Sequence, residues 1–354
     1  GFLKGNILYE LGAGQEPKRA FTYVEVPAGQ GQYAWIDYNN DGIPQLNEFV
    51  LALFPDQAKY IRVYTPTSEY IKANYMQFNY AVSLSPKALA ATMHNKKWQN
   101  FITRFNLQSS LQTFKKQLSQ GEPLFNPFKG KINDTALLNL NYILNNTLSF
   151  NRFSTSWGID ITNLINYNKS LLTYGSETSQ FKEWTVKGRI NFLKTYTFEL
   201  IQKKGSNNLF TPSFNNRNYA IKIFTTEPRV SYTPSTSFRT QIGYQFMKKD
   251  NSSNYGGEKA IFNTLNVETK YNTFSNTSLT GKFTFSNIKF TGQTNTTVSY
   301  IMLDALLPGK NYIWNINLTK RLINALELNF EYEGRKSGET KTIHIGTVSI
   351  RALL

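Results

Sequence analysis

Cysteine is absent from the 354 residues, so the chain can build neither a disulfide framework nor a thiolate metal site, and no compartment can be read from thiols. Imidazole is nearly absent too, supplied only by His94 and His344. These are predicted at opposite ends of the fold, one in a turn and one in the last strand, so no shared site is expected. No local signature sets a nucleophile beside a base, and the expectation is a protein that is not an enzyme. Long apolar runs are also missing. Only 40% of residues are hydrophobic and mean hydropathy is −0.41, and no stretch approaches the roughly 20 apolar residues of a spanning helix, which excludes a helical membrane protein. No leader precedes Gly1; a barrel exported to an outer membrane needs one, so the sequence is expected to be a mature product or the C-terminal piece of a longer chain.

Acidic residues are the scarcer charge, 23 against 39 Lys and Arg, for a net charge of +16. Nucleic-acid binding would need these cations clustered on one element, whereas they are spread over polar strand faces and loops. No nucleic-acid partner is expected. Outer-membrane lipid and lipopolysaccharide, which carry phosphate, are the expected partners.

Aromatic residues are abundant, at 15% with 26 Phe and 21 Tyr. Low average hydropathy with many rings fits strands half facing lipid and half facing water, with ring girdles at two interfaces. The pattern along the chain agrees. In residues 311–354, Tyr312, Trp314, Ile316 and Leu318 alternate with polar neighbours, then Leu326, Leu328, Phe330 and Tyr332, then Val348, Ile350, Ala352 and Leu354. A water-soluble sandwich competes as an architecture, but a final bare apolar strand suits a closed barrel whose last strand pairs with its first.

The same period of two recurs from Leu3 to Leu11, breaks over residues 12–67, and resumes at Met76. Altogether it predicts about fourteen antiparallel strands in one barrel domain, residues 1–354. Short turns alternate with longer connections, as in bacterial outer-membrane barrels, where the longer loops are extracellular. Residues 12–67 are predicted to be an inserted extracellular loop region between strands one and two. Residues 291–310 read as a second extracellular or occluding segment, with a short helix over 300–307. In the strand that begins at Tyr219, the apolar face changes parity past Pro228, which predicts a bulge there. Lys187, Arg189, Lys222, Arg239, Glu268, Lys282, Glu327, Glu331 and Arg351 are predicted to face inward, either lining an aqueous path or cross-linking a closed lumen.

Residues 37–48 match a twelve-residue, EF-hand-like calcium loop. Asp37, Asn39 and Asp41 place oxygen donors at positions one, three and five; Gly42 makes the turn at six; Ile43 offers its carbonyl at seven; Glu48 brings a bidentate carboxylate at twelve. Gln45 would hold a water near position nine. Ca²⁺ is hard and takes six to eight oxygens, which this set supplies. The Gly/Gln-rich stretch before the loop leaves no room for a helix there, so a structural clasp is expected, not a helix-loop-helix switch. The competing reading is an Asx-rich turn without metal.

The chain resembles the C-terminal region of large outer-membrane proteins of Bacteroidota. The resemblance rests on Gly31, Gln32 and Tyr33 leading into Asp37 through Ile43, on Leu46, Asn47, Glu48 and Phe49, on Leu306 through Asn311 ahead of Trp314, and on Gly334, Arg335, Lys336 and Ser337 with the terminal Arg351 and Ala352. It implies a barrel, an outer-membrane address and a calcium loop at the cell exterior, and no substrate. An accessory or scaffold subunit of a secretion or protein-assembly complex is the expected role. A transport barrel or pore for small or hydrophobic compounds is the alternative.

Overall fold

The computed structural model describes residues 1–88, 97–120, 126–128, 136–273, 276–322 and 326–352. The chain is all-β and antiparallel, with strands β1 (Leu3–Glu25), β2 (Tyr33–Trp35), β3 (Phe49–Leu51), β4 (Tyr60–Leu84), β5 (Phe105–Leu118), β6 (Leu137–Phe150), β7 (Trp157–Leu172) and β8 (Gly175–Phe192) in its first half. The second half supplies β9 (Tyr196–Phe210), β10 (Tyr219–Tyr232), β11 (Phe238–Asn251), β12 (Lys259–Asn272), β13 (Thr277–Thr291), β14 (Gly309–Leu322), β15 (Leu326–Ser337) and β16 (Ile343–Ala352). Among the described residues two short α-helices accompany them, α1 (Lys97–Ile102) and α2 (Thr297–Met302). All sixteen strands belong to one sheet, in which β4 to β16 follow one another in chain order and β1 adds to β4. Fourteen of the strands are long, as the alternation predicts; β2 and β3 have three residues each and make a small hairpin attached to β4 through Tyr33 and Tyr60.

The predicted pairing of the first strand with the last is not present in this ladder. Among the described residues β1 bonds only to β4 and β16 only to β15, leaving each with an unused row of backbone donors and acceptors. No turn joins these two strands. Alternation therefore specifies which face each presents and says nothing about whether their edges bond.

Two sequence-based boundaries also shift. β1 does not stop at Gly12 to Gly14 but continues to Glu25, paired with β4 from Tyr60 onward, with one register shift between Pro17 and Arg19. Gly12 survives inside the strand because a ring takes the place of its missing side chain: a Cβ there would sit 2.3 Å from Tyr75. The segment predicted as residues 12–67 of loop is therefore in large part a long two-stranded ribbon, which carries the β2–β3 hairpin and residues 36–48 at its tip. The helix predicted over 300–307 lies earlier, at α2, because Thr296 caps it: its hydroxyl accepts from the Ser299 amide at 2.9 Å, and the Ser299 hydroxyl accepts from the Thr296 amide at 2.9 Å.

Pro228 makes no bulge. The β10–β11 register is the same on both sides of it, with Thr226 opposite Phe246 and Arg229 opposite Gly243, while β9 pairs with β10 without interruption. Proline lacks the amide hydrogen, so the ladder skips a rung without slipping. The parity change has another cause. Tyr219, Ile221 and Ile223 face inward, toward α2, whereas Val230 and Tyr232 on the same strand face outward. Each face is apolar at a different height. The same exchange recurs in β12, where Ala260 and Phe262 are buried inside and Leu265 is exposed outside, and in β13, with Ile288 inside and Phe283 outside. These inner apolar residues form a collar that packs Val298, Met302, Leu303 and Leu306 of the α2 segment.

Lower down, the inner face is polar and cross-linked. Lys187 meets Glu199 at 2.6 Å, Glu268 lies 2.8 Å from Lys270 and 3.7 Å from Lys282, and Arg351 lies 3.2 Å from Glu327. Arg239 donates to the Ser231 hydroxyl and Arg189 to the Ser154 carbonyl. Lys222 departs from the inward assignment, since it shares its face with the exposed Phe224. The outer face carries exposed apolar side chains at mid-strand, among them Ile161, Val186, Leu200 and Ile242. At the short-turn end it carries a row of rings: Phe105 and Phe150 at 4.8 Å, Phe150 and Trp157 at 5.6 Å, Phe192 and Tyr196 at 5.4 Å, and Tyr196 and Tyr232 at 4.9 Å.

Candidate functional site

Residues 37–48 fold into a loop held by its own side chains. The Asp37 carboxylate accepts from the amides of Asp41 at 3.2 Å and Gly42 at 3.0 Å, Asn39 Oδ1 accepts from the Asp41 amide at 3.2 Å, and Asp41 Oδ1 accepts from the Ile43 amide at 2.7 Å. Successive side-chain oxygens thus turn the backbone around one centre, and Gly42 at φ +71° makes the sharp step that a side chain would resist. Asp41 Oδ2 accepts from the side-chain amides of Asn39 at 2.8 Å and Gln45 at 2.7 Å. Rotating either amide would present an oxygen to the same place.

Glu48 closes the loop from beneath and is fully buried. Its Oε2 accepts from the Trp35 indole at 2.7 Å and from the Gln45 amide at 3.1 Å, while its Oε1 is buried with no hydrogen-bond partner. An orphaned carboxylate oxygen in a buried position is costly unless something satisfies it. Trp35 and the 3₁₀ turn at Leu46–Glu48 fix this side chain. Among the described residues, no three Asp, Glu, His or Cys side chains gather closely enough to form a metal cluster by themselves. The loop's hydrogen bonds join Asp37, Asn39, Asp41, Ile43 and Gln45 to one another, while the Glu48 carboxylate reaches only the Gln45 amide of that set; charged and neutral oxygens of this kind are those a hard cation takes. Asn295, at the entry to α2, donates to the Asp37 carbonyl at 2.8 Å. The loop is thereby tied to the α2 segment.

The ribbon bearing this loop is tied to the sheet at several points. Asp56 pairs with the buried Arg335 of β15 at 2.5 Å, and the Arg335 guanidinium lies 3.9 Å from the centre of the Phe54 ring. The Tyr300 hydroxyl donates to Gln57 Oε1 at 2.6 Å and accepts from the Leu53 amide at 3.1 Å. On the opposite side Phe21 packs edge-on against Tyr174 at 5.9 Å, and Lys116 meets Glu16 at 2.8 Å. The ribbon therefore contacts both β15 and the β5–β8 region, and the sheet curves around it.

Between ribbon and sheet remain two adjoining cavities of about 540 Å³ and 310 Å³, which share Arg62, Asn168, Ser170 and Leu172 in their walls. Arg62 stands over three rings, Phe21 at 5.3 Å, Tyr33 at 5.6 Å and Tyr64 at 5.3 Å. Arg217, buried, lies 3.5 Å from Glu177 and keeps a partnerless Nε. Burial among these groups pushes the Tyr23 phenol up to about 12, with Tyr33 adding to the rise and Arg62 opposing it, and burial likewise raises Tyr33. Sequence reasoning did not single out Arg62 or Arg217, and named Arg335 only within the resemblance, with no role. The available signal was the run Tyr60, Arg62 and Tyr64, a cation flanked on one strand face by rings.

His344 lies on the outer face, where its Nδ1 shares a 2.8 Å hydrogen bond with the Tyr332 hydroxyl and its ring lies 6.0 Å from Trp314. His94 falls outside the described residues. A scan against protein-family models and a search of curated proteins find no match for the chain.

Proposed function

We propose that the chain is a non-enzymatic, integral outer-membrane β-barrel that serves as an accessory or scaffold subunit of an outer-membrane complex for secretion or protein assembly. The observation that carries the membrane address is the outward ring row at the short-turn end, below an exposed apolar band. A second group of outward rings, including Tyr244, Phe285 and Tyr312, stands about six residues higher, roughly 20 Å along a strand at 3.4 Å per residue. Two ring levels with apolar side chains between them are what a bilayer selects. In this reading the edges of β1 and β16 meet within the membrane, since unpaired backbone groups in hydrocarbon cost several kcal/mol each.

The anchored ribbon supports a scaffold over an open pore. Asp56 with Arg335, Tyr300 with Gln57, and the apolar collar around α2 fill the loop end of the interior. Asp37, Asn39, Asp41, Ile43, Gln45 and Glu48 hold a structural Ca²⁺ facing the cell exterior, where the metal stiffens the ribbon tip. Extraction in mild detergent followed by size analysis tests the scaffold role: stoichiometric partner proteins are expected, and a chain that always runs alone as a monomer overturns it. The transport alternative draws on the two cavities beside Arg62. Planar-bilayer conductance before and after deletion of residues 294–307 tests it, and silence in both forms removes it.

A further inference from the structure

Each of eight consecutive strands, β8 to β15, carries one exposed lysine on its outer face near the end where α2 lies. Strand register turns these scattered positions into a lattice. Lys182, Lys222 and Lys259 fall in a single cross-strand row, through Ser206 and Asp250. Lys204, Lys248 and Lys289 fall in the next outward row below it, through Phe224 and Ile261. Members of one row stand two strands apart, about 10 Å, and the rows are staggered. The belt then descends through Lys310, beside Asn287, to Lys336, beside Tyr312, in step with the tilt that strands take in a membrane barrel.

Asp250, 3.0 Å from Lys248, is the single acidic side chain among the outward positions of the first two rows. A surface this rich in one sign repels itself unless a polyanion lies against it. The lower girdle differs. Its outward row, Phe238, Tyr271, Leu279, Leu318, Phe330 and Val348, holds no lysine at all. One outward row further down, Lys320 of β14 stands exposed beside Leu328, the single outward lysine at the lower end of the described β8 to β15, so the strand lysines are concentrated at the end above the apolar band.

We infer that this lysine belt is a docking surface for the phosphate groups of a phosphorylated glycolipid confined to the outer leaflet. The inference rests on the membrane reading above. Charge concentrated at one interface, eight outward lysines there against Lys320 at the other, matches a lipid confined to one leaflet better than an anionic phospholipid present in both. Lys248 stands in register between Phe224 and Ile261, apolar neighbours along which a lysine stem can lie while its ammonium group reaches the headgroup level.

The test uses the full chain in detergent or vesicles, with bisphosphorylated lipid A, its dephosphorylated form and phosphatidylglycerol as probes. Tight binding of the bisphosphorylated lipid that weakens with salt is expected, with at least tenfold weaker binding of the other two lipids. Combined K204Q, K222Q, K248Q and K289Q substitutions should lower that affinity at least tenfold, whereas K270Q, an inward lysine beside Glu268, should leave it unchanged. Equal binding of phosphorylated and dephosphorylated lipid, or of phosphatidylglycerol, overturns the proposal; so does wild-type affinity in the quadruple variant. The lipid comparison and the salt dependence use the wild-type chain, so they stand even if that variant folds poorly. Insertion into neutral phosphatidylcholine vesicles without lipid preference would defeat the belt alone. Failure to insert, with solubility in the absence of detergent, would defeat the membrane reading as well.

Discussion

The lower and upper halves of the same strands obey opposite rules. Below, Ile161, Val186 and Ile242 are exposed outside while Lys187 and Glu199 pair inside. Above, Ile221, Phe262 and Ile288 are buried inside while Lys222 and Lys289 stand exposed outside. One backbone geometry serves both halves, because a strand offers two independent faces at every height. What changes is the surroundings on each side. The lower half has apolar surface outside and a polar, cross-linked interior; the upper half has the α2 segment and the ribbon inside. An apolar side chain is thus evidence of a neighbour, and the identity of that neighbour depends on height.

The largest expected effect breaks the lower half. Ile161→Arg puts a charge at mid-strand on the outer face and should destabilise by about 2 to 4 kcal/mol in a bilayer, read by denaturant titration in vesicles. Thr162→Ser, one residue along and facing the Thr147 hydroxyl at 3.1 Å inside, should change it by about 0.5 kcal/mol or less. Equal sensitivity at the two positions would erase the distinction between the faces.

The next effect belongs to the upper half. Asp56→Ala strands the buried Arg335 guanidinium, and should loosen the ribbon by about 2 kcal/mol, less than the range for fully buried pairs because Asp56 is partly exposed. Proteolysis should then speed up at residues 26–59 while the ladder from β5 to β15 keeps its amide protection. Uniform loss of protection would show that ribbon and sheet unfold as one unit.

Calcium sharpens the contrast within the ribbon. At ten times a dissociation constant in the range of 10⁻⁴ to 10⁻³ M, typical of extracellular sites, bound Ca²⁺ would stabilise by about 1.4 kcal/mol. Chelation, and Glu48→Gln in its presence, should both raise protease cleavage over residues 29–56 and leave the lower sheet untouched. Identical cleavage with and without chelator would leave the loop an ordinary Asx-rich turn.

The smallest effect is alkaline. The Tyr23 phenol is raised from 10.0 to about 12 by burial, so the folded ribbon favours its neutral form. That contribution is complete below pH 10 and is lost as pH rises through about 12. Tyrosinate absorbance should show a late-titrating phenol that Tyr23→Phe removes; loss of a phenol that titrates at the ordinary 10.0, with the late phase intact, would place Tyr23 in water.

Much of the strand architecture was legible in advance, since alternation found fourteen long strands and their order. The errors concentrate where a neighbour was invisible. Pro228 seemed to need a bulge because Ile221 and Val230 differ in parity, and only the docked α2 segment explains both. Gly12 to Gly14 looked like a strand end because the ring of Tyr75 that lies over Gly12 comes from a residue 63 positions away. The loop oxygens of residues 37–48 were readable from spacing alone. The buried, orphaned Oε1 of Glu48 and its Trp35 partner were not, since burial depends on what packs above.

By itself the sequence determined the periodicity, and with it the strand count, the antiparallel order and the spacing of oxygen donors in one loop. These are properties of neighbours along the chain, set by backbone geometry and residue type. Tertiary structure alone decided that the ribbon folds in against Arg335 and Tyr174, that the apolar faces exchange sides with height, and that lysines from eight strands share one belt. Those features depend on register between segments far apart in the chain, where a shift of one residue would turn every side chain to the other face.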